Sequence, residues 1–100
     1  MVKIKWSRRV IAEIHEAREY LQPYSPAFAE RFTEAIFAKC ALLEQQPLLG
    51  RVVPEAERGD IRELIFKKHR LLYQVVSSTE ILILTLHATS RPLTPGSLLE

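Results

Sequence analysis

A chain of 100 residues has room for one hydrophobic core and no second lobe. With 47% hydrophobic and 26% charged residues it can bury that core, which excludes wholesale disorder. A net charge of +2 falls short of a dedicated nucleic-acid binder, and a lone cysteine, Cys40, excludes an internal disulfide. So small a domain leaves about a third of its unfolded-state surface exposed, so a partner that covers apolar surface is expected to matter.

Lys3, Lys5, Arg8 and Arg9 interrupt any apolar run at the start, so no signal peptide is read there. The longest apolar stretch, Ile81 to Leu86 with Thr85 inside it, is too short to span a bilayer, and the cytoplasm is the expected compartment. Val2, Ile4 and Trp6 alternate with Lys3 and Lys5, the period of a half-buried strand. Ser7 offers a hydroxyl to a helix start. Val10, Ile11, Ile14, Ala17 and Leu21 then recur at helical spacing, with Arg8, Glu13, Glu16 and Glu19 outside. Pro23 stops this helix, Ser25 caps the next, and Pro26 suits its first position because the missing N–H had no partner there. Phe28, Phe32, Ala35, Ile36, Cys40 and Leu43 make the second apolar stripe, which Pro47 ends. So short a connection predicts an antiparallel helical hairpin.

Leu48 to Asp60 reads as a solvated loop punctuated by Gly50, Pro54 and Gly59. Ile61 to Phe66, Arg70 to Val76 and Ile81 to His87 are strand-like, with Ser77 to Glu80 as a hairpin loop. The fold class is therefore α+β: a short N-terminal strand and an antiparallel helical hairpin packed on a mostly antiparallel sheet. Residues 1–93 form one domain, and 94–100, with Pro95 and Gly96, are expected to be a flexible tail.

Register assigns the sheet faces. Opposing Val76 to Ile81 pairs Tyr73 with Leu84, Leu71 with Leu86 and Arg70 with His87. Leu71, Tyr73, Val75, Leu82, Leu84 and Leu86 then form an apolar face for the helices to cover. Arg70, Leu72, Gln74, Val76, Ile81, Ile83, Thr85 and His87 form the other. For the preceding strand, a three-residue turn through Lys67, Lys68 and His69 puts Arg62 on the polar face; a two-residue turn sends it toward the helices. The candidate binding surface is therefore Arg70, His87 and Arg91, with Arg62, Lys67 and Lys68 around it. His15 and His69 read as surface residues and Cys40 as a small buried one. Three scattered histidines make no metal-ligand spacing, and no Gly-rich loop offers a phosphate or cofactor cradle. No cofactor or metal is expected.

The order of elements resembles the RelE/ParE superfamily of type II toxin–antitoxin toxins. The resemblance rests on Glu44 to Arg51 (EQQPLLGR), Asp60 to Val75 (DIRELIFKKHRLLYQV) and Glu80 to Arg91 (EILILTLHATSR), and covers Val2 to about Leu93. It implies a plasmid-stabilisation toxin that arrests growth and is neutralised by a cognate antitoxin. The antitoxin's C-terminal segment would wrap the helical groove and a free sheet edge, giving a toxin–antitoxin hetero-oligomer.

RelE-like members cut messenger RNA in the ribosome, and Arg70 and Arg91 match arginines of that pattern. The match then fails, because Pro92-Leu93-Thr94-Pro95-Gly96 holds neither a tyrosine nor a histidine to serve as general acid. The closing His87-x-x-x-Arg91 and the Gly50-Arg51-Val52-Val53-Pro54-Glu55 loop are nearer the ParE-like branch, whose members poison DNA gyrase by protein contact. The resemblance thus implies a gyrase inhibitor with no assigned catalytic group. The alternative is a ribosome-dependent endoribonuclease using Arg70, His87 and Arg91; a decayed toxin that still binds antitoxin is a third reading.

Overall fold

Five strands and two helices make up the computed structural model, which describes residues 1–93. Strand β1 (Lys3–Trp6) leads into α1 (Arg8–Leu21) and α2 (Pro26–Ala41), and a short 3-10 turn follows at Leu42–Glu44. Then come β2 (Arg51–Val52), β3 (Ile61–Phe66), β4 (His69–Ser77) and β5 (Glu80–Ala88). The strands lie in the order β1-β5-β4-β3-β2; β1 runs parallel to β5 and every other pair is antiparallel. This is the α+β architecture that the sequence pattern implies. The tail read for 94–100 lies outside the described residues.

Local chemistry sets each helix start. The Ser7 hydroxyl accepts the Val10 N–H at 3.0 Å and donates to the Leu84 carbonyl at 2.7 Å, so one side chain caps α1 and ties it to β5. Ser25 caps α2 through the Phe28 N–H, with Pro26 in the first turn. Val10, Ile14, Phe32, Ile36, Cys40 and Leu43 pack on Leu64, Leu71, Tyr73, Ile81, Ile83 and Leu86 of the sheet. Burial pushes the Cys40 thiol up to about 12, leaving it protonated and inert near neutrality.

The sheet departs from the simple register in two places. Arg70 opposes His87 and Leu71 opposes Leu86, as alternation requires, but Tyr73 opposes Ile83 and not Leu84. A bulge leaves Leu84 without an opposite residue, and every side chain beyond it changes face. Ile81 and Ile83 therefore join the helix-side core, while Leu84 packs with Val53, Ile61, Leu72 and Leu93 on the far side. A second irregularity at Val76 pairs Ser77 with Glu80, so the hairpin turn holds only Ser78 and Thr79.

The β3–β4 turn is the two-residue one: Phe66 opposes His69, and Lys67 takes a left-handed φ of 52°. The segment read as loop also contains β2 and a 3-10 turn at Pro54–Ala56. Glycine is required at Gly50. An added Cβ would stand 2.4 Å from the Glu63 carbonyl and 2.8 Å from the Tyr73 hydroxyl. That hydroxyl accepts the Gly50 N–H at 2.8 Å and donates to the Pro47 carbonyl at 3.0 Å, stapling the chain after α2 to the sheet.

Candidate functional site

The two-residue turn decides which charges meet. It places Glu63 and Ile65 on the same face as Arg70 and puts Arg62 opposite Tyr73, on the helix side. Arg62 therefore does not join Arg70 and His87. Its Nη1 donates to the carbonyls of Leu48 and Gly50, capping the loop that Tyr73 holds. The guanidinium is held on the apolar side by these two carbonyls near the sheet edge, while its Nε is buried without a hydrogen-bond partner among the described residues.

On the far face Arg70 is the centre of an ion network. Its Nε and Nη2 donate to the two oxygens of Glu63, and Nη1 and Nη2 donate to Glu55 at 2.8 and 3.0 Å. Arg51 adds a 2.7 Å bond from Nε to Glu63 Oε2. The Glu63 side chain has no exposed surface and that of Arg70 only 13%. A carboxylate this deep persists because two guanidinium groups neutralise it. Burial alone would raise the Glu63 pKa, but the hydrogen bonds from Arg70 and Arg51 outweigh it and hold the carboxyl below the usual glutamate range. Glu55 is lowered to about 2, chiefly by its bond from Arg70.

The remaining candidates lie around the β3–β4 turn and the end of β5, where His87 is the cross-strand partner of Arg70. His87 is nearly buried, with Nε2 3.1 Å from the Arg91 carbonyl, so its ring closes the end of β5. Arg91 is exposed and lines a cleft with Glu13, Glu16, Tyr20 and His69. Lys67 and Lys68 are exposed on the β3–β4 turn, with the Lys67 ammonium 5.7 Å from the Phe28 ring and 5.8 Å from that of Phe66. His69 is half-buried and edge-on to Phe32, so it is not the surface residue the pattern suggested. Burial lowers its pKa, and the neighbouring His87 lowers it further. Among the described residues its Nδ1 is buried without a hydrogen-bond partner.

The six candidates thus divide into Arg62 at the loop staple, Arg70 in the ion network, and Lys67, Lys68, His87 and Arg91 around one end of the sheet. Sequence reasoning missed Glu55 and Glu63, which hold Arg70. The two-residue alternative carried the signal, since it alone sets Glu63 diagonal to Arg70. It also missed Glu13, whose Oε1 accepts from the Thr85 hydroxyl at 2.7 Å and the Leu86 N–H at 3.0 Å, fixing α1 to β5 beyond the end of β1.

A family model described as the ParE toxin of type II toxin–antitoxin systems matches residues 4–92. The chain belongs to the ParE toxin family. A solved structure of the chromosomal ParDE toxin–antitoxin system from P. aeruginosa is similar, with a TM-score of 0.72. It is 22% identical and the match covers 88% of this chain and 96% of that one, a likeness of fold. No curated protein sequence matches significantly. The matched region contains α1, α2 and all of the sheet from Ile4 onward, so the whole ion network of the toxin lies within it. No helix among the described residues is long and apolar enough to cross a membrane.

Proposed function

We propose that this toxin acts by binding DNA gyrase and is neutralised by a cognate antitoxin. The observation that carries the reading, beyond family membership, is the state of Arg70 and His87. Arg70 has both edges of its guanidinium on carboxylates, and the His87 Nε2 is engaged by the Arg91 carbonyl. General acid–base cleavage of RNA needs a free proton carrier beside a free cation at the phosphate. This pair supplies neither in its present arrangement, which favours contact over cutting. Lys67, Lys68 and Arg91 are the exposed cations around the site and are assigned as target contacts, with Arg70 and His87 behind them.

Antitoxin docking is assigned to the apolar groove of about 430 Å³ between the helical hairpin and the β3–β4 turn. Ala17, Tyr20, Leu21, Phe28, Phe32 and Lys67 line it. An amphipathic helix with an acidic residue near Lys67 fits such a groove. A partner seated there would cover Lys67 and Lys68, so binding and neutralisation would compete for the same cations. The test is supercoiling by purified gyrase with the toxin, with and without antitoxin, run beside primer extension on translated message. Inhibition with accumulated cleaved DNA is expected. Unchanged supercoiling together with codon-phased RNA cuts would overturn the reading in favour of a ribosome-dependent nuclease.

A further inference from the structure

His69 stands between two hollows. It lines the apolar groove assigned to the antitoxin and also the polar cleft that Arg91 lines. Its ring meets that of Phe32 at 5.6 Å between centroids, and Phe32 in turn meets Phe66 at 5.3 Å. The imidazole therefore continues the aromatic packing of the groove wall.

The ring is built to be neutral. Its Nδ1 is buried and has no hydrogen-bond partner among the described residues. A neutral imidazole can leave that nitrogen bare, with its one proton on Nε2. An imidazolium carries a proton on both nitrogens, so Nδ1–H would be a buried charged donor with nothing to receive it. The charged neighbours act in the same direction. Lys67 and Lys68 precede His69 on the turn, His87 lies beside it on β5, and Arg91 shares the cleft. Two carboxylates line the cleft from α1, but Glu13 is bound by Arg9, Thr85 and Leu86, and Glu16 is exposed to solvent. From α2 only Phe28 and Phe32 line the groove. Burial first, and His87 after it, hold the His69 pKa below the ordinary 6.5.

A helix laid in the groove takes water off this ring. Desolvation by an apolar face opposes an imidazolium further, whereas a neutral ring is covered at little cost. We infer that His69 makes occupation of the groove proton-linked: the antitoxin seats an apolar face on the neutral ring, and protonation of the ring drives it off. The partner's acidic residues are thereby directed to Lys67 and Lys68, which keep their charge, and away from His69. The inference rests on the assignment of the groove to the antitoxin and adds the regulation of that site, since acid would free the toxin. Affinity is full above the His69 pKa of the free toxin. It falls as pH drops through that value, because the free toxin then takes up a proton that the complex excludes.

The experiment measures the affinity of the purified toxin for its cognate antitoxin from about pH 7.5 to about pH 5, beside an NMR titration of the His69 ring in the free toxin. Wild type is expected to lose about three- to tenfold in affinity, the effect of excluding one proton from a ring that titrates below 6.5. His69→Gln, neutral throughout, should show no such loss. His15→Gln, exposed on α1 and outside the groove, should lose as much as the wild type. Tyr20→Ala alters an exposed groove residue, and weaker binding there near neutral pH supports the docking assignment. Unchanged binding in Tyr20→Ala overturns that assignment and this inference with it. Weakened binding in Tyr20→Ala beside a pH-independent wild type overturns this inference alone. So does a loss that persists in His69→Gln, tighter binding in acid, or a ring midpoint above 6.5. Thermal melting checks that each variant is folded. If His69→Gln is not, His69→Phe keeps a ring against Phe32 and takes its place, with the same outcomes deciding.

Discussion

The two faces of the sheet are held by different physics. The helix side buries a continuous apolar cluster from α1 and α2 to β5. The far side has a smaller cluster around Val53, Ile61 and Leu72, and beside it the charged group Arg51, Glu55, Glu63 and Arg70. An apolar face loses stability in proportion to the atoms removed and barely feels pH. A buried ion network is indifferent to small volume changes and acutely sensitive to losing one partner. The difference teaches that a strand face bearing charges can be structural before it is functional.

The sharpest way to break this comparison is at Glu63. Glu63→Ala leaves Arg70 without its inner partner and should cost about 3–5 kcal/mol in urea unfolding. A cost within experimental error would show the network to be a solvated surface. Arg70→Ala belongs in the same range, because it strands the buried Glu63 carboxylate. Lost toxicity in that variant therefore reports on folding before it reports on target contact.

On the apolar side, Ile83→Ala should cost about 2–5 kcal/mol, as a fully buried aliphatic side chain does. Leu84→Ala should cost less, because Leu84 is only partly buried in the smaller cluster. The reverse order would contradict the bulge. Tyr73→Phe is smaller again. It leaves the Gly50 N–H and Pro47 carbonyl without the hydroxyl, for about 1–3 kcal/mol, and should speed amide exchange at Gly50.

Acid separates the faces further. The Glu55 and Glu63 carboxyls both have folded-state pKa values lowered from the ordinary 4.5, Glu55 to about 2. Their stabilisation is present above the unfolded value and lost as pH falls through the folded values. The penalty of Glu63→Ala should therefore shrink as pH falls below the ordinary glutamate value of 4.5, while that of Ile83→Ala stays constant in parallel melts. The smallest stability effect is expected for Glu55→Gln, within about 1 kcal/mol for a partly exposed pair.

Much of the architecture was legible because it follows from local chemistry. Ser7, Ser25 and Pro26 announce both helix starts, and the helical spacing from Val10 to Leu43 announces what those helices bury. Arg70 and His87 face each other as counting from Val76 and Ile81 requires, although Ile81 in fact opposes Val75. The irregularity at Val76 and the bulge at Leu84 shift the register in opposite directions and cancel. Between the two irregularities the counting fails, and Ile81, Leu82 and Ile83 take the faces opposite to those alternation predicts.

The sequence by itself determined the element order, the helix caps, the apolar stripes and the family to which the toxin belongs. Each depends on residues within a few positions of one another or on a pattern spread over the whole chain. Only the tertiary structure decided the partners of Arg70. Those depend on a turn length between Phe66 and His69, and on a loop that carries Glu55 across 15 residues of sequence to reach it. Alternation says which face a side chain takes, but a charge takes its meaning from what the fold brings against it.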